Sequence, residues 1–179
     1  MKKIIIAIIG LGNIGLHLYK YLVKNKNFLK KKTGVYPIIK FVSAKNPKKK
    51  RKIKIVKNKW LKNYLECTKD VDIDIVVELI GGAEGPAKKL VFEALKNKKH
   101  VVTANKALIA KYGNQLSKIA EKNKVNLEFE AAVCGGMPII RSIKEGFIAN
   151  NTSKIMGIFN GTSNYILSLM DTKKINFNE

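Results

Sequence analysis

The sequence predicts an α/β fold: an open parallel sheet with helices on both faces, followed by the beginning of a second, smaller α+β unit. Three observations predict it. Short runs of β-branched, apolar residues alternate with segments whose apolar residues recur at helical spacing. The first run ends in Gly10-Leu11-Gly12-Asn13-Ile14-Gly15, a glycine turn set between a strand and a helix. Of the 179 residues, 46% are hydrophobic, enough to bury a sheet and the helices that cover it.

Lys3 to Ile9 is continuously apolar after its first residue, as a strand buried on both faces requires. Asn13 to about Lys24 places Ile14, Leu18, Tyr21 and Leu22 on a helical face, and Asn25 to Gly34 reads as a basic loop. Tyr36 to Ala44 is the second strand, and Lys45 to Lys54 a polar, highly basic connection. Trp60 to Leu65 reads as a short helix and Val71 to Ile80 as a third buried strand. Ala87 to Lys98 is helical, with Pro86 suited to its first turn. His100 to Thr103 is a strand, Lys106 to Asn123 a helix that Gly113 weakens, and Val125 to Phe129 a strand. After Glu130 the chain becomes small and glycine-rich, which sets a boundary between domains 1–130 and 131–179. Ile139 to Ile148 then reads as a helix, Lys154 to Phe159 as a strand and Ser163 to Met170 as a helix.

Composition narrows the function classes. The net charge of +22 invites a nucleic-acid reading, but the bases are 33 Lys against only Arg51 and Arg141, alongside 23 Ile and 17 Asn. Lys, Ile and Asn rising together indicate compositional drift, and arginine is the usual tool for bidentate recognition of phosphate or bases. No nucleic-acid partner is expected. Cys67 and Cys134 make no disulfide framework and fit a reducing compartment. Met1-Lys2-Lys3 and the following apolar run imitate a signal peptide, yet the run is short and ends in glycines rather than a cleavage site. No apolar stretch reaches the ~20 residues that cross a bilayer. The expectation is a cytoplasmic protein without a membrane partner.

The glycine turn carries the first chemistry. Its G-x-G-x-x-G spacing lies at the end of a buried strand and opens a helix, the context of a Rossmann dinucleotide site. The first glycine permits the turn, the second lets backbone approach a pyrophosphate, and the third lets the helix pack on the sheet. Free N–H groups at the helix start then face the phosphates. An NAD site usually places an acid about 20 residues beyond, for the ribose hydroxyls. Here that stretch reads Ser43-Ala44-Lys45-Asn46-Pro47-Lys48-Lys49-Lys50-Arg51, with no acid. NADP is therefore favoured over NAD, with Lys45 as the contact to a 2′-phosphate and Lys49 or Arg51 as helpers.

Four further motifs follow in order: Glu78-Leu79-Ile80-Gly81-Gly82; His100-Val101-Val102-Thr103-Ala104-Asn105-Lys106; Phe129 through Ile140 (FEAAVCGGMPII); and Gly157 through Leu167 (GIFNGTSNYIL). Together with the glycine turn they closely resemble homoserine dehydrogenase, over essentially the whole chain. The resemblance implies reduction of aspartate 4-semialdehyde to homoserine with NADPH or NADH, on the route to threonine and methionine. It also implies a Rossmann domain joined to a catalytic and dimerisation domain, as a homodimer or homotetramer at full length.

Carried onto this chain, the resemblance implies that Gly10, Leu11, Gly12, Asn13, Ile14 and Gly15 line the dinucleotide. Val42 and Lys45 would meet its adenosine end, and Gly81 and Gly82 would pass close to the cofactor. Lys106 would sit by the nicotinamide and the substrate carbonyl, where an ammonium can polarise the oxygen as hydride arrives at carbon. Asn160, Gly161 and Thr162 would line the substrate end, with Thr162 or Ser163 also able to cap the following helix. Glu130 and the carbonyls of Val133, Gly135 and Met137 match the family's monovalent-cation loop, whose hard oxygen ligands suit sodium. Cys134 stands where alanine is common, and His17 and His100 take no role.

The chain stops at Glu179, before the family's Gly-Tyr/Phe-Ala-Glu-x-Asp-Pro segment and its second catalytic lysine. A chain of this extent is expected to bind nucleotide with little turnover. Ile139, Ile140, Ile143, Ile155, Ile158, Ile166 and Leu167 are expected to lack partners and to favour association. Because the sequence starts at the first strand, an N-terminal aspartokinase fusion is not expected. Two other readings share part of the pattern: another Rossmann oxidoreductase of amino-acid metabolism, and a non-catalytic nucleotide-binding or basic nucleic-acid-binding module.

Overall fold

The computed structural model describes residues 2–158 and 160–179. It divides into two compact units, Met1–Val133 and Cys134–Glu179. In the first unit, strands β1 (Lys2–Ile9), β2 (Val35–Ser43), β3 (Ile75–Glu78), β4 (His100–Thr103) and β5 (Leu127–Glu128) form one sheet in the order β2-β1-β3-β4-β5. All pairs are parallel. The chain leaves β1 in one direction to β2 and resumes on its other side at β3, so the order reverses between β1 and β3. Ligands of open α/β sheets bind at such a switch point, at the carboxyl ends of the strands.

Side chains alternate along the central strand and feed two cores. Ala7 and Ile9 pack with Val76, Val101 and residues of helices α3 (Pro86–Lys96) and α4 (Lys106–Lys122), including Leu90, Leu95, Leu108 and Leu116. Ile6 and Ile8 join Ile39, Val42 and Val77 on the opposite face, beneath Leu11, Leu16 and Tyr19 of the glycine turn and of helix α1 (Asn13–Thr33). Helices thus cover both faces, as predicted.

Several elements differ from the sequence reading. Helix α1 runs to Thr33, so Asn25 to Gly34 is not a loop. Lysine is a good helix former, and Lys30, Lys31 and Lys32 lie in the last turn, where cations suit the negative helix end. Gly34 stops the helix with φ of 73°, its N–H donating to the Lys30 carbonyl. Trp60 to Leu65 is not a helix. Trp60 forms a parallel bridge to Val42, Leu61 N–H donates to the Val42 carbonyl at 3.0 Å, and the helical turn is α2, Glu66–Lys69. β3 is shorter than predicted, because Val71 to Asp74 form the approach to it and Val71 is 90% exposed.

The second unit holds a short helix α5 (Ile139–Arg141) that continues as a π-helical turn through Gly146, and helix α6 (Gly161–Lys173). Lys154 to Ile158, predicted as a strand, are irregular and exposed, and Phe159 lies outside the described residues. A strand needs a paired neighbour, and this unit has no other strand among the described residues. No β element of an α+β domain is therefore seen there.

Two details bear on stability. Glu84 receives hydrogen bonds from Lys111 Nζ at 2.6 Å, Tyr112 OH, and Lys88 Nζ at 3.2 Å, tying the approach to α3 to the first turns of α4. Cys67 is fully buried and its Sγ donates to the Tyr64 carbonyl at 3.0 Å. Burial pushes its thiol up to about 12.

Candidate nucleotide site

Ser43, Ile9, Glu78 and Thr103 are register partners, and this row ends the four neighbouring strands at one edge of the sheet. Gly10 follows directly, with φ of +109°, and its N–H donates to the Ser43 carbonyl at 2.9 Å. A Cβ on Gly10 would lie 2.3 Å from the Leu79 carbonyl oxygen, and one on Gly15 would lie 2.0 Å from that of Gly10. Both glycines are compelled by the fold itself. Gly12 is different. Its φ is −78°, and a Cβ there would meet nothing within 4 Å. The protein alone does not require glycine at this position, whereas a pyrophosphate approaching the backbone does.

Gly12 is the N-cap of α1 and accepts from Leu16 N–H at 2.9 Å. The amides before Leu16 have no partner within the helix, and no acid occupies the first turn, so the positive end of a 21-residue helix is presented at the turn. A cavity of about 770 Å³ opens beside it, in the range of small-ligand sites, walled by Gly10, Leu11 and Gly12 and by Leu79 and Ile80 across the switch point. Its far wall carries Lys45, Lys49, Arg51 and Lys62, and no carboxylate lines it. A second cavity, of about 760 Å³, lies at the opposite, amino-terminal end of the strands, where Lys40 is already paired with Asp70 and Asp72. Strand polarity and the free helix end favour the first.

The expected residues fall as follows. Gly10, Leu11, Gly12 and Lys45 line the cavity. Asn13 and Ile14 are exposed in the first turn of α1, and Gly15 is buried where the helix meets the turn. Val42 does not line the cavity: it is fully buried, and its carbonyl is taken by Leu61 N–H. Gly81 and Gly82, with φ of 86° and 82°, follow β3 and are exposed. Lys106 is the exposed first residue of α4, one strand further along the same edge.

Three residues without an expected role join these loops. Glu78 is fully buried. Its Oε1 accepts from the N–H groups of Ile80 at 2.7 Å and Gly81 at 3.0 Å, and its Oε2 accepts from Thr103 Oγ1 at 2.6 Å. Thr103 Oγ1 accepts in turn from Asn105 N–H at 3.0 Å. The Asn105 amide donates to the Gly82 carbonyl at 2.7 Å and its Oδ1 accepts from Leu108 N–H, capping α4 immediately before Lys106. One buried carboxylate thus fixes the glycine pair after β3 and, through Thr103 and Asn105, the base of Lys106. The available signal was the acid itself, placed at the end of an otherwise apolar strand.

In the second unit, the cap of α6 is Asn160 rather than Thr162 or Ser163: its Oδ1 accepts from Ser163 N–H at 2.9 Å, and Gly161 and Thr162 form the exposed first turn. Among the expected cation ligands, Glu130 and Val133 belong to the first unit, in and just after a 3₁₀ turn where Val133 N–H donates to the Glu130 carbonyl. Gly135 and Met137 belong to the second, where the Met137 carbonyl accepts from Ile139 N–H at 2.9 Å. No group of three or more His, Cys, Asp or Glu side chains among the described residues could hold a metal ion. No described helix is long and apolar enough to cross a membrane.

Comparison with known proteins accords with this geometry. The family model described as homoserine dehydrogenase, NAD binding domain, matches residues 10–130, and that described as homoserine dehydrogenase matches residues 138–179. Homoserine dehydrogenase of Bacillus subtilis is 39% identical over all of this chain and 41% of its own length; that of Neisseria gonorrhoeae is 42% identical over 97% of this chain and 39% of its own. The crystal structure of a homoserine dehydrogenase from Thiobacillus denitrificans superposes with a TM-score of 0.83 at 40% identity, over 99% of this chain and 41% of that one. The chain spans about two fifths of the length of these relatives. An NAD(P)-type glycine turn on a parallel sheet, family motifs at both strand ends beside it, and matches running the length of the chain lead to one assignment: the chain belongs to the homoserine dehydrogenase family.

Proposed function

We propose that the chain forms the cofactor-binding part of an enzyme that reduces L-aspartate 4-semialdehyde to L-homoserine, in the biosynthesis of threonine and methionine, with NADPH as the preferred reductant. The observation that carries this reading is the open position at Gly12, between two glycines that the fold compels, beside a cavity lined with cations and free of acids. The start of α1 binds the pyrophosphate through its free amides. Lys45, with Lys49 beside it, neutralises the 2′-phosphate.

When bound, the dinucleotide supplies a hydride to the aldehyde carbon. Lys106 directs its ammonium to the carbonyl oxygen and donates the proton that the new alkoxide takes up. Glu78, Thr103 and Asn105 hold the backbone from which it projects. Asn160, Gly161 and Thr162 serve the substrate end, and Glu130, Val133, Gly135 and Met137 serve a sodium ion, both on the strength of the family resemblance. The same resemblance supports a homodimer or homotetramer, and the unpaired thiols of Cys67 and Cys134 support a cytoplasmic setting.

Fluorescence titration of the chain with NADPH, NADH and duplex DNA at two salt concentrations tests the binding half. NADPH binding that persists at the higher salt, with NADH weaker, is expected. Strong, steeply salt-dependent DNA binding in its place would overturn it. Homoserine-dependent reduction of NADP by the protein purified from its own cells tests the reaction, and its loss in Lys106→Ala tests the role of that lysine.

A further inference from the structure

Arg51 lines the cavity, yet its guanidinium is turned inward to its own loop. Nη1 donates to the carbonyls of Pro47 at 3.0 Å and Lys49 at 2.9 Å, and Nη2 donates to that of Asn46 at 2.8 Å. The Asn46 carbonyl also accepts from Lys49 N–H at 3.3 Å, closing a turn with Pro47 and Lys48 at its centre. The guanidinium carbon stands 5.1 Å from the centroid of the Trp60 ring, and Nε is buried there with no hydrogen-bond partner. Trp60 in turn bridges to Val42 on β2 and packs on the core of that face. Arg51 therefore links the loop to the sheet through Trp60.

The sequence gives this loop reason to need a fastening. Lys45, Lys48, Lys49, Lys50, Arg51 and Lys52 lie within eight positions and repel one another. Left free, the loop would have to be ordered at the moment a phosphate arrives, and that ordering is subtracted from affinity. We propose that Arg51 is a positioning residue for dinucleotide selectivity: it does not hold the 2′-phosphate but folds the 46–51 loop onto Trp60, so that Lys45 and Lys49 stand ready for it. This deepens the NADPH reading and rests on it. The role demands arginine. Its planar fork reaches three carbonyls while the guanidinium carbon stands over an aromatic ring. A lysine ammonium, a point charge on a flexible stem, can sit over a ring, as Lys88 does over Tyr112, but lacks the fork that holds the loop carbonyls at the same time.

The test compares the 179-residue chain with Arg51→Ala and Arg51→Lys. Kd values for NADPH and NADH are read together with acrylamide quenching of Trp60, the single tryptophan. Both variants are expected to lose about tenfold in NADPH affinity and less than twofold in NADH affinity, with Trp60 more readily quenched. Recovery of NADPH affinity in Arg51→Lys would show that charge alone suffices and would overturn the proposal. So would unchanged NADPH binding in both variants, or an equal loss of both nucleotides. If the unsubstituted chain binds NADH as tightly as NADPH, the NADPH reading itself fails and the selectivity role falls with it. Quenching then still reports whether Arg51 orders the loop.

Discussion

Single residues in the glycine turn separate folding from binding. Gly12→Ala places a methyl group in open space at an ordinary φ, so stability should change by no more than about 1 kcal/mol, the range of a weakened helix cap. NADPH affinity should fall tenfold or more. Gly15→Ala forces a methyl group onto the Gly10 carbonyl and should cost about 3 kcal/mol, an overpacking penalty. Thermal melting and NADPH titration of the two variants check the contrast. Thr103→Val leaves Glu78 Oε2 and Asn105 N–H without their buried partner and should destabilise by about 1–3 kcal/mol. It should also weaken nucleotide binding, by loosening the Glu78 carboxylate that holds the loop after β3 beside the cavity. The spacing of the turn was legible because Gly10 and Gly15 answer local steric demands and Gly12 between them leaves the backbone open. The roles of Glu78 and Arg51 were not, because both depend on partners that only the folded chain brings near.

At the scale of elements, the buried strands and the helices α3 and α4 announce themselves by period, since one face of each is set against the sheet. Helix α1 is longer than its apolar stripe, and the extension rests on lysine propensity and a glycine stop, which a reading by hydrophobic period passes over. Trp60 and Leu61 imitate a helix start in sequence and pair with a strand in space. The contact of α3 with α4 has a pH signature. Hydrogen bonds from Lys111, Tyr112 and Lys88 hold the Glu84 carboxyl down at about 2, from an ordinary 4.5. Its folded value lies below its unfolded one, so the stabilisation is complete above about pH 4.5 and is lost as pH falls through about 2. Urea midpoints of the chain and of Glu84→Gln, measured from pH 6 to pH 2, should converge at the acid end. A constant gap across that range would assign Glu84 a role independent of its charge.

At the scale of the molecule, the first unit buries two continuous cores, whereas the second leaves Ile155 55%, Ile158 76% and Leu167 63% exposed. Apolar surface of that kind favours association. Sedimentation of the chain should show concentration-dependent self-association, and the double variant Ile158→Lys, Leu167→Lys should shift it toward monomer. A monomer at all concentrations would count against this. The net charge of +22 takes on a local meaning in the same frame. Most of it is spread over surface lysines, while the part between Lys45 and Arg51 is gathered at the mouth of the cavity.

The two thiols stand one in each unit, in contrasting surroundings. Cys67 is sealed in the sheet's core with its proton held to about 12, and Cys134 is partly accessible. Alkylation depends on thiolate and access, so a maleimide dye should mark Cys134 quickly in the native chain and Cys67 only when the core opens. The slow second label then becomes a clock for opening of the nucleotide-binding unit. Saturating NADPH should lengthen its interval by the factor 1 + [NADPH]/Kd, which would give the affinity of the site without any optical change in the ligand.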